Sequence, residues 1–320
     1  MMPGIGVVRD ILKSGLISLG LLMLSMIIPV FGIVLVFLSV APQIILLLKK
    51  KYSAAVLSWC LLLCILVVLR DLYFAAAYYT IFVVYAVCIY KVMLKKDEPG
   101  SILFKSVLGW LFMVLIYFSL YRFITGINLL DELNLLLKTA GGISIGKYYD
   151  IRLPQIQIDM IEQSIIKGIN FLVDNITGIS VIVAFICTYL LYRVINRYYS
   201  ELHPMPVLSR FRLSENHIWI LITSAGLFFL GSKISDYNLV SVLGSNLAIV
   251  MLAGYMLSGL GIVLALFAKI RLAQLIQVVL VTMIIFFLRG FYLLVGLGIL
   301  DVWIDFRKRW SMKKIKENEI

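Results

Sequence analysis

The sequence predicts an all-α fold: a polytopic transmembrane helical bundle of about eight to ten membrane segments, with one outer loop region carrying amphipathic helices. Three observations predict it. Hydrophobic residues make up 62% of the 320 and charged residues 14%, with a mean hydropathy of +1.03, whereas soluble domains use roughly 45–50% apolar residues. The apolar residues come in long runs, the last spanning 272–300 with one full charge, Arg289. Only lipid or other apolar helices solvate such a run. The basic residues cluster at the ends of these runs, and 21 of the 29 Lys and Arg fall on one side of the expected topology, which makes that side cytoplasmic. The formal charge of +12 therefore reads as orientation and lipid contact, and no nucleic acid is expected as a partner.

The chain is read as a single integral membrane domain over 1–320, with an extracytoplasmic insertion at 122–175 and a basic cytoplasmic tail at 301–320. Residues 1–14 carry Arg9 and Lys13 and belong inside. The run that follows resembles a signal peptide's, but no small-residue cleavage site interrupts it, so a retained anchor is expected. Residues 15–48 are too long for one crossing of about 20 residues. Pro29 and Gly32 place a hairpin there, out over 15–28 and back over 33–48 to Lys49, Lys50 and Lys51.

A second pair, 52–69 and 72–90, is split by Arg70 and Asp71 and closed by Lys91, Lys95 and Lys96. Another crossing covers 102–121. Between 122 and 175 the charges balance, and Ile158, Ile161, Ile165, Ile169 and Leu172 recur at helical spacing, which predicts an amphipathic helix lying on the bilayer or capping the bundle. Gly141-Gly142 and Pro154 predict turns before it. Residues 176–195 cross inward to Arg193, Arg197, Arg210 and Arg212, 217–230 go out, and 240–267 return to Lys269 and Arg271.

If 272–300 were one crossing, the Arg307, Lys308, Arg309 cluster would lie outside. An even number of passages instead predicts two short helices meeting near Arg289-Gly290, with a long tilted helix as the competing reading. Both termini are then cytoplasmic.

Charges inside apolar runs are costly unless paired or hydrated, so they are the candidates for function. Arg289 stands among apolar residues on both sides and needs an anion, a carbonyl cluster or a ligand. Arg70 and Asp71 either hold a substrate's ionic groups at a cavity mouth or form a hairpin tip that snorkels into water. Asn246 carries an amide that must hydrogen bond if buried, near a small-residue face of Gly254, Ser258 and Gly261. Asp301 and Asp305 share a helix face, as paired metal-binding carboxylates would. In the simpler reading they engage Arg307 or Arg309 while Trp303 anchors the interface.

His203 and His217 lack neighbours at zinc spacing, and no GxSxG, P-loop, HExxH or Rossmann fingerprint occurs. No catalytic residue, metal or cofactor is therefore expected. Cys60, Cys64, Cys88 and Cys187 lie inside apolar runs and read as small core residues rather than a disulfide framework.

The closing stretch Gly298-Ile-Leu-Asp301-Val-Trp303-Ile-Asp305-Phe306-Arg307-Lys308, with the upstream segment containing Asn246 and Tyr255-Met-Leu-Ser-Gly259, is similar to the end of the YybS-like predicted membrane proteins. The Pro29–Pro42 region and its basic turn also resemble that family's N-terminal part. The resemblance implies a bacterial inner-membrane location and a distant kinship with the S components of energy-coupling-factor transporters, which bind small molecules and dock onto an energising module. It transfers no substrate residues. The leading expectation is a small-molecule binding or transport protein with Arg289, Asn246, Arg70 and Asp71 near its pocket, surrounded by membrane lipids and served by an energising protein partner. The alternatives are a noncatalytic scaffold for envelope or division machinery, and a lipid-acting enzyme built on Asp301 and Asp305.

Overall fold

The computed structural model describes residues 3–69, 78–95, 99–150, 155–199, 201–202, 207–234, 238–286 and 288–308. Its regular elements are all helical, and no strand occurs among the described residues. Among the described residues, five helices are long and apolar enough to cross a membrane, a sixth span arises if a bent pair at the end counts as one, and three shorter apolar helices accompany them. The chain divides into two compact units, Met1–Ile166 with Val183–Met205, and Lys167–Ile182 with Pro206–Ile320.

In the first unit, α1 (Pro3–Ile27) begins well before the first apolar run, so Arg9 and Lys13 ride on its opening turns. The hairpin expected at Pro29 is present, since α2 starts there (Pro29–Leu38) and packs back on α1. The return is itself broken, however, and resumes as α3 (Ala41–Leu48). Pro42 is the physical reason: it has no N–H for the carbonyl four residues earlier, and its ring crowds that turn. Side chains compensate. Ser39 Oγ donates to the Val36 carbonyl (2.6 Å) and Ser18 Oγ to the Ser39 carbonyl (2.6 Å), with buried Gln43 hydrogen bonding to Ser18 and Tyr78 to Ser39.

Next come α4 (Tyr52–Leu69), a π-helical turn at Tyr79–Val83 that runs straight into α5 (Val84–Leu94), and α6 (Pro99–Thr125). Phe37, Phe82, Tyr85 and Trp110 from α2, the π turn, α5 and α6 meet at ring-centroid distances of 4.6 to 5.7 Å, and they form the centre of this unit's core. Each such pair adds about 0.5–1.5 kcal/mol beyond its buried area. Of the four cysteines only Cys187 is buried, while Cys60 and Cys64 are exposed on α4. An outward face in lipid is as apolar as a core, so hydrophobicity did not separate the two.

Gly126, at φ +72°, ends α6 in the left-handed conformation with its N–H on the Arg122 carbonyl (2.9 Å). Asn128 then caps α7 (Leu129–Asp150) through Oδ1 to the Leu130 N–H (3.1 Å), and Asp131 and Glu132 occupy the positive end of the new helix. The turn expected at Gly141-Gly142 does not form. α7 runs through it, because glycine weakens a helix interior by only about 1 kcal/mol and does not remove a hydrogen bond. The turn expected at Pro154 lies outside the described residues. The amphipathic helix follows as α8 (Gln155–Asp174). Ile158 and Ile169 are buried on it, but Leu172 is exposed. α9 (Ile176–Tyr198) carries the chain from the second unit back into the first, where Thr188 hydrogen bonds to the Tyr85 hydroxyl (2.5 Å).

The second unit is built around α11 (Asn238–Lys269). Its hairpin partner α10 (His217–Lys233) lies close enough that Phe228 backbone meets Gly244 and Ser241 backbone meets Gly231. The last helices are α12 (Gln274–Phe286) and α13 (Leu288–Ile304). α13 crosses α11 with backbones in contact: a Cβ at Gly259 would overlap the Leu294 carbonyl, and one at Gly298 the Tyr255 carbonyl. Met251, Tyr255, Val295 and Val302 form the core at that crossing.

Candidate functional site

Two features of the second unit concentrate polar chemistry in apolar surroundings. The first is the bent pair of short apolar helices that closes the apolar sequence. α12 and α13 have 13 and 17 residues, about 20 and 25 Å at 1.5 Å per residue. Neither alone crosses a hydrocarbon layer of about 30 Å. The two helices expected from the charge distribution are present, and their axes meet at a 102° bend. That is far from a straight tilted helix and short of a closed hairpin. Gly290 permits the bend, because a Cβ there would overlap the Ile284 carbonyl across the turn.

Arg289 is the second residue of α13. It therefore stands at a helix start, where backbone N–H groups lack intrahelical partners and the dipole is positive. Its side chain lies outside the described residues, as do Arg70 and Asp71 entirely.

The second feature is an ionic clasp at the other end of α13. Arg212, in the segment before α10, reaches across so that Nη1 donates to Asp305 Oδ2 (2.8 Å) and Nη2 to the carbonyls of Asp301 (3.1 Å) and Val302 (3.2 Å). A guanidinium on the last carbonyls of a helix satisfies orphan acceptors and meets the negative end of the dipole. Arg307 reaches the opposite way, with Nη1 donating to the Phe211 carbonyl (2.8 Å) and Nη2 to the Ser258 carbonyl (3.0 Å). Between them lies Asp301, fully buried. Its Oδ1 accepts from the Phe306 N–H (3.0 Å), and its Oδ2 faces Arg307 Nη2 at 3.6 Å and Arg212 Nε at 4.0 Å. Two carboxylates and two guanidiniums leave the cluster neutral, the condition under which charge is tolerated inside a protein.

Asp305 makes the turn possible. It takes φ +49°, a region in which aspartate is among the few side chains with a local hydrogen-bonding excuse, and its Oδ1 accepts from the Lys308 N–H (3.3 Å). Desolvation alone would raise its pKa, but the Lys308 N–H and the Arg212 guanidinium outweigh burial and hold it below the ordinary aspartate range. Burial pulls the Arg307 guanidinium down from its usual value, against the attraction of Asp301. Beside the clasp, Arg212, Leu213, Ser214, Glu215 and Asn216 line an open depression of about 500 Å³.

Asn246 stands apart from both features. Its Oδ1 accepts from the Gly178 N–H (2.6 Å), and its Nδ2 donates to the carbonyls of Asp174 (2.7 Å) and Val242 (2.8 Å). One amide on α11 thus caps the end of α8 and the beginning of α9 together. Gly178 admits this approach, since a Cβ there would lie 2.7 Å from the Asn246 carbonyl oxygen.

Of the residues singled out in the sequence, the structure brings Asp301, Asp305 and Arg307 together, and it leaves Trp303 65% exposed beside them. The organising partner is Arg212, which the sequence marks only as one inner-face charge among many. Nothing local in Arg-Phe-Arg signals a contact 89 residues away. Among the described residues, no group of three or more His, Cys, Asp or Glu converges as metal ligands do.

Fold and site define a multi-pass α-helical membrane protein whose last two short apolar helices meet at a sharp bend, the second of them fastened by an internal ionic clasp. The chain belongs to the family described as predicted membrane protein (DUF2232), which matches residues 16–302. Comparison with curated proteins and with solved structures gives no match.

Proposed function

We propose that this membrane protein binds, and in the course of transport moves, a small anionic molecule at the bend between its last two apolar helices. The observation that carries the reading is the 102° bend between two apolar half-length helices, with Arg289-Gly290 at the start of the second. Transporters place substrates at discontinuous helices of this kind, where the exposed start of a half-helix favours negative charge. An arginine at the same point adds a full cation in a segment that otherwise has none. The resemblance to YybS-like proteins, and through them to transporter S components, supports the same reading. So does the clustering of cations at helix ends, which favours cytoplasmic termini in a bacterial inner membrane.

Asn246 is engaged by three backbone groups, so its role is to fasten α11 to the ends of α8 and α9 rather than to contact the ligand. The lipid-enzyme alternative gains little, because Asp301 and Asp305 are committed to Arg212 and Arg307. The scaffold alternative rests on the exposed apolar residues Ile156, Met160 and Phe171 of α8.

Native mass spectrometry of the full-length protein, released from mild detergent, tests the proposal. A co-purified small anion is expected with the wild type, reduced in Arg289→Lys and lost in Arg289→Gln. A bound protein partner with no small molecule, or a ligand indifferent to Arg289→Gln in a variant that elutes as the wild type does, overturns it.

A further inference from the structure

Seven of the first unit's cations gather at one edge: Arg9, Lys13, Lys49, Lys50, Lys51, Lys91 and Lys95. The Lys51–Asp10 ion pair sets the opening turns of α1 against the α3–α4 turn. The hydroxyl of Tyr90, near the end of α5, donates to that of Tyr52 at the start of α4 (3.3 Å). The same edge therefore carries Arg9 and Lys13 from α1, Lys49 and Lys50 from the turn, and Lys91 and Lys95 from α5, all exposed. None of the six enters an ion pair among the described residues. Asp10, the one described acid in these segments, is already engaged by Lys51. Lys96, Asp97 and Glu98 follow in the sequence outside the described residues, and adding their charges leaves the excess positive.

Helix dipoles account for part of this, since Lys49, Lys50, Lys91 and Lys95 stand at helix ends where cations are favoured. They do not account for Arg9 and Lys13, which stand toward the positive end of α1. Nor do they remove the cost of Lys50. That residue sits at φ +59° in a double cap, with its own N–H on the Leu47 carbonyl (2.9 Å) and the Lys51 N–H on the Leu46 carbonyl (2.9 Å). Glycine is the default at this position, and any other side chain pays a steric penalty of about 1–2 kcal/mol. A lysine there puts charge ahead of conformational ease.

Directly beside the cations are exposed apolar side chains, Leu12 and Leu16 on α1, Val56 on α4 and Leu94 on α5. We propose that this edge is a binding site for an anionic phospholipid. The phosphate accepts from the lysine ammonium groups and from the Tyr52 hydroxyl, whose proton is left free because Tyr90 is the donor in their mutual bond. The acyl chains lie along the neighbouring apolar residues. A zwitterionic lipid offers the same chains without the net charge, so charge is what the site selects. This inference is independent of the ligand at Arg289.

The test uses the full-length protein equilibrated with mixed micelles holding equal phosphatidylglycerol and phosphatidylcholine, read by native mass spectrometry. Phosphatidylglycerol adducts are expected to predominate and to weaken as salt rises. Each Lys→Gln change among Lys49, Lys50, Lys91 and Lys95 should cut their retention about fivefold, the equivalent of about 1 kcal/mol per cation, while Lys→Arg preserves it. Equal retention of the two lipids overturns the proposal, as does phosphatidylglycerol retention that ignores the Gln substitutions. Displacement by millimolar inorganic phosphate overturns it in favour of a free-anion site. Should a Gln variant aggregate, the wild type decides: retention insensitive to salt is incompatible with the proposal.

Discussion

Replacing Asp301 by asparagine is the sharpest perturbation of the clasp, because it removes one charge and changes almost no volume. At 3.6 Å from Arg307 and an effective dielectric of about 20, the attraction lost is about 4–5 kcal/mol. Release of the carboxylate from its own desolvation returns part of that, and removing one partner of a buried pair generally costs about 3–5 kcal/mol. Asp301 Oδ2 makes no hydrogen bond, and Arg212 keeps Asp305 at 2.8 Å. The expected loss therefore lies at the low end, about 3 kcal/mol. For 320 residues, at about 1.5 °C per kcal/mol, the thermal midpoint of the detergent-solubilised protein should fall by about 4–5 °C. Arg307→Gln in the Asp301→Asn background should cost less than it does alone, because the partner charge is already gone. An Asp301→Asn variant within about 0.5 kcal/mol of the wild type would refute the reasoning, since Arg307 would then be indifferent to its counter-ion.

Three further outcomes follow from the same unit. Gly298→Leu drives a side chain into the Tyr255 carbonyl and should destabilise by about 1–3 kcal/mol or more, read as a lowered midpoint or loss of the monodisperse species. Asn246→Leu strands the Gly178 N–H, at about 1–3 kcal/mol for a buried group left without its partner, while the exposed Asp174 carbonyl turns to solvent; hydrogen exchange at Gly178 should rise with it. Asp305, whose pKa is lowered in the folded protein, stabilises above its unfolded value of about 3.9, and that contribution disappears as pH falls through the folded value. Asp305→Asn, which keeps the left-handed turn accessible, should accordingly flatten the acid limb of the stability profile below about pH 4.

The helices were legible in the sequence wherever a single force acts. Apolar length and basic flanks give the spans, and Pro29 gives the first hairpin. Pro42 is harder to read, since its break matters only because Ser18, Ser39 and Gln43 converge to repair it, a convergence set by packing between helices. Gly141-Gly142 misleads for the opposite reason: two glycines weaken a helix without ending it when nothing competes for the backbone. In the clasp, Asp301, Asp305 and Arg307 announce themselves as charges at the end of an apolar run. Arg212 does not, because its importance comes from crossing a distance of chain that periodicity cannot span. Asn246 reads as a polar group needing partners, but a hydropathy pattern does not tell a ligand from two helix ends. The bend at Gly290 lies between these cases, since charge bookkeeping calls for a break and only the backbone contact with Ile284 gives its angle.

The bend between the last two apolar helices is the claim on which the proposed site depends, and a spin-label distance between positions 274 and 304 in the reconstituted protein measures it directly. With a 102° bend between segments of about 20 and 25 Å, the separation is about 29 Å at 1.5 Å per residue. A distance near this value is the expected result. A single population near about 45 Å, the length of an unbroken helix over the same residues, would contradict the account and remove the site at Arg289 with it.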